Sequence, residues 1–213
     1  MKIDVTLYLV TNSEGLSLSE FLDKIAQACL GGVTLVQLRE KEKTVRDYLL
    51  LARKVKEVTD FYHIPLIIDD RADVAVACGA AGVHVGQEDL PVWAARKVMG
   101  DGKIVGVSAK TAEQAVQAEK EGADYLGVGA IYPTTTKVKT VLTPVSVLRE
   151  ICRSVSIPVA AIGGMNEKNC GILKGCPIAG IAAVSAIMKA DDPKNAAARF
   201  RERLAGLPGP RRA

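Results

Sequence analysis

Gln37, Arg39 and Lys41 stand two apart, with Leu38 and Glu40 between them. In an extended segment this spacing sends Gln37, Arg39 and Lys41 to one side, so that side carries two cations. Such a face suits a polyanion; a solvated strand end with ion pairs to Glu40 and Glu42 fits it as well. Asp69-Asp70 follows the apolar run Leu66-Ile67-Ile68, and Asp89 ends the loop after Val85. Were these runs neighbouring strands, about 4.8 Å apart, Asp70 and Asp89 would reach one cation. Two carboxylates that leave other positions to water or phosphate oxygen suit Mg2+. Asp69 or Asp70 would equally cap a helix opening near Arg71, and the two roles are compatible, one for each residue.

Further along, Thr134-Thr135-Thr136-Lys137 offers backbone N–H groups, hydroxyls and an ammonium to an anion, or forms an ordinary loop. His63 precedes an apolar run and reads as structural, and His84, between Val83 and Val85, reads as a core or barrel-lining residue. Tyr132 and Trp93 read as packing residues. No Ser-His-Asp or Cys-His set is discernible.

These groups need a scaffold, and the composition supplies one. The chain has 213 residues, 48% of them hydrophobic, enough for a sizeable core and against a disordered or fibrous chain. A formal charge of +4, from 28 Lys plus Arg against 24 Asp plus Glu, is too slight and dispersed to indicate nucleic acid. The five cysteines include no C-x-x-C and read as reduced thiols, mostly buried. Lys2 and Asp4 follow Met1 with no apolar stretch behind them, and no run of about 18 uncharged apolar residues occurs. The expectation is a cytoplasmic protein that avoids the membrane.

Short β-branched runs alternate with helical spacing eight times. The expected strands are 5–10, 33–38, 66–68, 82–85, 104–107, 125–128, 159–162 and 180–183. The expected helices are 19–30, 45–59, 71–78, 92–99, 112–121, 145–154, 167–173 and 195–204. Gly79 and Gly122 sit where helices 71–78 and 112–121 should stop. The repeat averages about 27 residues, close to the ~30 of a strand, helix and return loop. A single-domain α/β fold follows, a (β/α)8 TIM barrel over 1–206 with a loose tail at 207–213. An open doubly wound sheet would use fewer strands and a glycine-rich first turn, which Thr11-Asn12-Ser13-Glu14-Gly15 does not provide. In such a barrel the reactive groups sit just after the strands, and the loops after strands seven and eight form the recurrent phosphate site. Those loops carry Gly163-Gly164 and Val184-Ser185.

The ordered series resembles the thiamine-phosphate synthase (thiamine-phosphate pyrophosphorylase) family across all eight units. It comprises Gln37 to Lys41, Asp70-Arg71, Val83-His84-Val85-Gly86-Gln87-Glu88-Asp89, Gly106-Val107-Ser108, Tyr132 to Lys137, Ile162-Gly163-Gly164 and Val184-Ser185-Ala186-Ile187. The resemblance implies Mg-dependent joining of a hydroxymethylpyrimidine diphosphate to a thiazole phosphate, releasing pyrophosphate. It implies that Gln37, Leu38, Arg39, Glu40, Lys41, Asp69, Ser108 and Lys137 meet the pyrimidine diphosphate, with Arg39, Lys41, Ser108 and Lys137 catalytic. Asp70 and Asp89 would hold the metal, and Thr134, Thr135, Thr136, Gly164, Val184 and Ser185 the thiazole phosphate. Two positions depart from the family pattern: Asp69 replaces a usual Asn, and Lys110 a frequent His. The expected partners are small molecules, neither nucleic acid nor membrane, with homo-oligomerisation left open. Two alternatives accompany this reading. One is a thiazole tautomerase on the same barrel, against which the retained Arg39, Lys41, Asp70, Asp89 and Lys137 argue. The other is a noncatalytic sensor of thiazole phosphate or thiamine phosphate.

Overall fold

A computed structural model describes residues 3–134 and 141–205. Thr135, Thr136, Lys137 and the expected tail at 207–213 lie outside them. Eight parallel strands run β1 (Leu7–Val10), β2 (Leu35–Leu38), β3 (Leu66–Asp69), β4 (Gly82–Val85), β5 (Ile104–Ala109), β6 (Tyr125–Val128), β7 (Val159–Ile162) and β8 (Gly180–Ala183). Each pairs with the next, and β8 closes onto β1 with Tyr8 opposite Ala182. The helices are α1 (Leu18–Leu30), α2 (Val45–Phe61), α3 (Ala72–Cys78), α4 (Val92–Met99), α5 (Ala112–Lys120), α6 (Val145–Ser154), α7 (Ser185–Met188) and α8 (Pro193–Ala205). Among the described residues no helix is long and apolar enough to cross a membrane.

Period two along each strand divides the buried residues into two layers. Leu7, Leu9, Val36, Leu38, Ile68 and Val83 pack outward against the helices. Tyr8, Val10, Leu35, Ile67, Tyr125, Ala160 and Ala182 fill the interior. The strand ends consequently carry the polar residues to one rim, where each chain segment turns back toward its helix.

Several helix starts are encoded locally. Ser17 and Glu20 form a capping box on α1, while Thr44 and Thr111 accept from the N–H groups of Asp47 and Gln114 on α2 and α5. Gly79 ends α3 in the left-handed conformation, as its position suggested.

The expected strands 5–10 and 33–38 enter the sheet only at Leu7 and Leu35. Conversely, β3 reaches Asp69 and β5 reaches Ala109, so Asp69 and Ser108 are strand residues rather than loop residues. The expected helix at 167–173 is a single 3-10 turn, Cys170–Leu173. Asn166 and Asn169 bond the backbone locally there, offering an alternative to α-helical pairing. Helix α7 follows β8 directly and was not anticipated, since four residues give no readable period. Trp93, expected to pack, is 60% exposed on α4. All five cysteines are free, three of them buried, and burial pushes the Cys29 and Cys152 thiols up to about 12.

His63 ends α2 with φ 56°, its N–H donating to the Asp60 carbonyl at 3.0 Å. A left-handed residue with a side chain is strained by about 1 kcal/mol relative to glycine. His63→Gly should raise unfolding stability by about 1 kcal/mol, read as a higher urea midpoint at unchanged slope.

Candidate active site

A cleft of about 220 Å3 opens at the carboxyl ends of the strands. It gathers Gln37, Arg39, Lys41, Asp69, Asp70, Asp89, Ser108, Thr134, Gly164, Val184 and Ser185. Lys110 also lines it. Of the expected site residues, Leu38 and Glu40 are the described ones outside the lining. The Leu38 side chain is fully buried in the outer layer, as period two requires for a residue between Gln37 and Arg39. It can meet a ligand only through its backbone. Glu40 turns toward the β1 loop, where Oε2 accepts from the Ser13 hydroxyl at 2.9 Å and Lys43 approaches to 3.8 Å.

The cationic corner is built from β2 and β3. Tyr48 of α2 is buried, and its hydroxyl donates to the Leu38 carbonyl at 2.6 Å and lies 3.3 Å from that of Asp69. This ties together the two strand ends from which Arg39 and Asp70 emerge. The Asp69 carboxylate, nearly buried, lies 3.1 Å from the Lys41 ammonium and 3.7 Å from the Arg39 guanidinium. Lys41 also pairs with Asp70.

Neither aspartate caps α3. Arg71 occupies the cap position with no side-chain cap bond, and its guanidinium engages Asp73 at 2.9 and 2.5 Å, holding the Asp73 carboxyl below its ordinary range. The capping alternative is thereby corrected, and both carboxylates remain with the cleft. Asp70 adopts φ 59° and donates its N–H to the His84 carbonyl at 2.8 Å, a turn that sets its side chain at the rim. Asp89 accepts the Gly86 N–H at 2.7 Å. No group of three or more His, Cys, Asp or Glu suited to a metal occurs among the described residues. A pair of carboxylates is a hard-oxygen donor set that fits a cation completing its shell with ligand oxygens.

The opposite corner is shaped by close backbone approach. Gly164 has φ 61°, and a Cβ there would lie 2.6 Å from the Pro133 carbonyl and 2.7 Å from Tyr132 Cβ. The Tyr132 N–H donates to the Gly163 carbonyl at 3.0 Å, and Asn169 Nδ2 donates to that of Gly164 at 2.8 Å. Val184 and Ser185 begin α7 beside them. Asn169 was not singled out in the sequence; the local signal for it is the Asn166-x-x-Asn169 spacing that rigidifies the turn.

The floor of the cleft is polar and closed. His84 on β4 lies between Ser108 Oγ, 2.9 Å from Nε2, and Tyr125 Oη, 3.1 Å from Nδ1. Burial pushes its imidazole down to about 4, with Lys41 acting in the same direction and Asp69 and Asp89 opposing, so the ring is neutral at pH 7. Tyr8 and Tyr125 were not anticipated as part of the site. Their signal was an aromatic hydroxyl on interior positions of strands otherwise filled by small or apolar residues.

An eight-unit barrel whose C-terminal rim opposes cations and carboxylates to a glycine-walled loop defines a phosphate-handling barrel enzyme. Comparison with known proteins narrows this class. The family model described as thiamine monophosphate synthase matches residues 7–187. Thiamine-phosphate synthase 2 of Streptococcus pneumoniae is 53% identical over 198 residues, covering 93% of this chain and 94% of that protein. Thiamine-phosphate synthase of Enterococcus faecalis is 56% identical over 191 residues, 90% of each. The solved thiamine phosphate pyrophosphorylase from Pyrococcus furiosus superposes with a TM-score of 0.86 at 34% identity, covering 96% of this chain and 97% of that one. The chain belongs to the thiamine monophosphate synthase family.

Asp69 pairs with both Arg39 and Lys41, so an incoming polyanion must compete with it. Asp69→Asn should therefore tighten binding of inorganic pyrophosphate several-fold, about 1 kcal/mol, by calorimetry. Unchanged affinity would remove Asp69 as a competitor.

Proposed function

We propose that this barrel is a thiamine-phosphate synthase that joins 4-amino-2-methyl-5-(diphosphooxymethyl)pyrimidine to a thiazole phosphate, giving thiamine phosphate and pyrophosphate. The observation that carries the reading is convergence: Arg39, Lys41, Asp70, Asp89 and Ser108 share one cleft with Gly164, Val184 and Ser185. One corner suits a diphosphate and the other a monophosphate, as two phosphorylated substrates require.

The reaction breaks the bond between the pyrimidine methylene carbon and the diphosphate oxygen, and the electron pair leaves with the oxygen. The pyrimidine amino group donates electron density to the methylene cation, favouring dissociative loss. The thiazole nitrogen then supplies its lone pair to that carbon. No protein nucleophile is needed. Arg39 and Lys41 meet the charge that accumulates on the leaving group, and Ser108 contributes a hydroxyl beside them. Asp70 and Asp89 would hold Mg2+, which when bound neutralises charge on the diphosphate. Asp69 keeps the two cations together until substrate arrives, and Gln37 lines the pyrimidine side. The backbone of Gly164 with Val184, Ser185 and Thr134 receives the thiazole phosphate. Fixing the nitrogen opposite the methylene carbon supplies acceleration through orientation alone. Thr135, Thr136 and Lys137 take their roles from the family resemblance, Lys137 at the leaving group and the two threonines at the thiazole phosphate.

Incubation with both substrates and Mg2+ should yield thiamine phosphate, detected as fluorescent thiochrome after oxidation; a folded sample without product would sink the reading. Asp89→Ala should lower turnover by about 100-fold. Lys137→Ala should lower kcat more than it weakens thiazole-phosphate binding, and equal loss of both would displace the ammonium from the leaving group.

A further inference from the structure

Five side chains from five strands form one unbroken polar line through the barrel interior. Gln37 Nε2 donates to Tyr8 Oη at 2.6 Å, and Tyr8 Oη lies 2.7 Å from Tyr125 Oη. Tyr125 Oη lies 3.1 Å from His84 Nδ1, and His84 Nε2 lies 2.9 Å from Ser108 Oγ. The tyrosine rings meet edge to face at 5.7 Å. Tyr8 and Tyr125 are almost wholly buried, Gln37 is 4% exposed and His84 7% exposed. Two strand glycines make the seat: a Cβ at Gly106 would overlap the Tyr125 ring, and one at Gly127 would crowd His84 Cε1 at 3.2 Å.

The line has a direction, because each member has few protons to give. An amide NH2 can only donate, so the Tyr8 oxygen accepts from Gln37 and its single proton is left to go on to Tyr125. The Tyr125 proton is then available to His84 Nδ1. A neutral imidazole that accepts at Nδ1 carries its proton on Nε2, and it donates that proton to Ser108 Oγ.

We propose that this polarised line fixes His84 as the Nε2–H tautomer and so leaves the Ser108 hydroxyl proton to donate into the cleft, toward an anionic phosphate oxygen. The opposite tautomer would draw the serine proton to Nε2 and turn only lone pairs toward the anion. Tyr8, Tyr125 and His84 are thus positioning residues acting through Ser108. Assigning the acceptor as the departing diphosphate rests on the function proposed above; the tautomer itself does not.

Nitrogen-15 NMR of the histidine side chains in the unliganded protein reads the tautomer directly. The His63→Gly variant leaves His84 as the single histidine. A protonated Nε2 with an unprotonated Nδ1 is expected, and the reverse overturns the proposal whatever the protein catalyses. The consequence is read with inorganic pyrophosphate and Mg2+ as probe, in a cycle of Tyr125→Phe and Ser108→Ala. Tyr125→Phe removes the proton donated to Nδ1 and should weaken pyrophosphate binding about three- to tenfold. In the Ser108→Ala background the same change should have almost no effect. Equal loss in both backgrounds would mean that Tyr125 acts through packing, and would overturn the role assigned to Ser108. Should Tyr125→Phe fail to fold, Tyr8→Phe interrupts the line one step earlier and decides the same comparison. A barrel with the expected tautomer and coupling but no thiamine phosphate product would retain the polarised line and lose only the assigned reaction.

Discussion

Closure of the parallel sheet is the constraint on which the site depends. Because all eight strands point one way and β8 pairs with β1, the residues after every strand meet at a single rim. Residues as distant in the chain as Arg39 and Ser185 become neighbours across one cleft without any long excursion of the chain. Period two does the rest. It sends Leu38 into the outer layer and leaves its flanking residues Gln37 and Arg39 on the cleft. Tyr48 then ties the ends of β2 and β3, so the cationic and acidic segments are held by a buried hydroxyl from α2 rather than by exposed charge alone.

Charge in the cleft is balanced internally, Arg39, Lys41 and Lys110 against Asp69, Asp70 and Asp89. Lys41 faces Asp69 and Asp70, and Arg39 approaches Asp69, so the carboxylates hold the two cations close to one another. Arg71 stays out of this set because Asp73, two residues away, captures it. The Asp69 carboxylate is therefore accommodated by Arg39 and Lys41.

Much of this was legible in the sequence. Apolar runs of four or so residues, separated by helical periods, gave the barrel and most strand positions, because parallel strands buried on both faces leave a strong pattern. Their ends were less certain: strand pairing, rather than hydrophobicity, decides that Val5 and Val33 lie outside the sheet while Ser108 lies within it. The polar residues after each strand marked the cleft. Glu40 looked like its neighbours, yet its fate depends on Ser13, a partner 27 residues away that spacing cannot reveal. The interior line was invisible for the same reason. Tyr125 lies 117 residues from Tyr8 and 41 from His84, and the three meet only once the cylinder closes.

The glycines that seat Tyr125 and His84 also set how deep the cleft can be. With Tyr125 and His84 buried in the barrel, the space beneath the cleft is filled by side chains. The cleft extends across the rim, from Gln37, Arg39 and Asp69 at the β2–β3 edge to Gly164 and Ser185 at the β7–β8 edge. Breadth, set by the width of the cylinder itself, is thus the dimension this cleft offers.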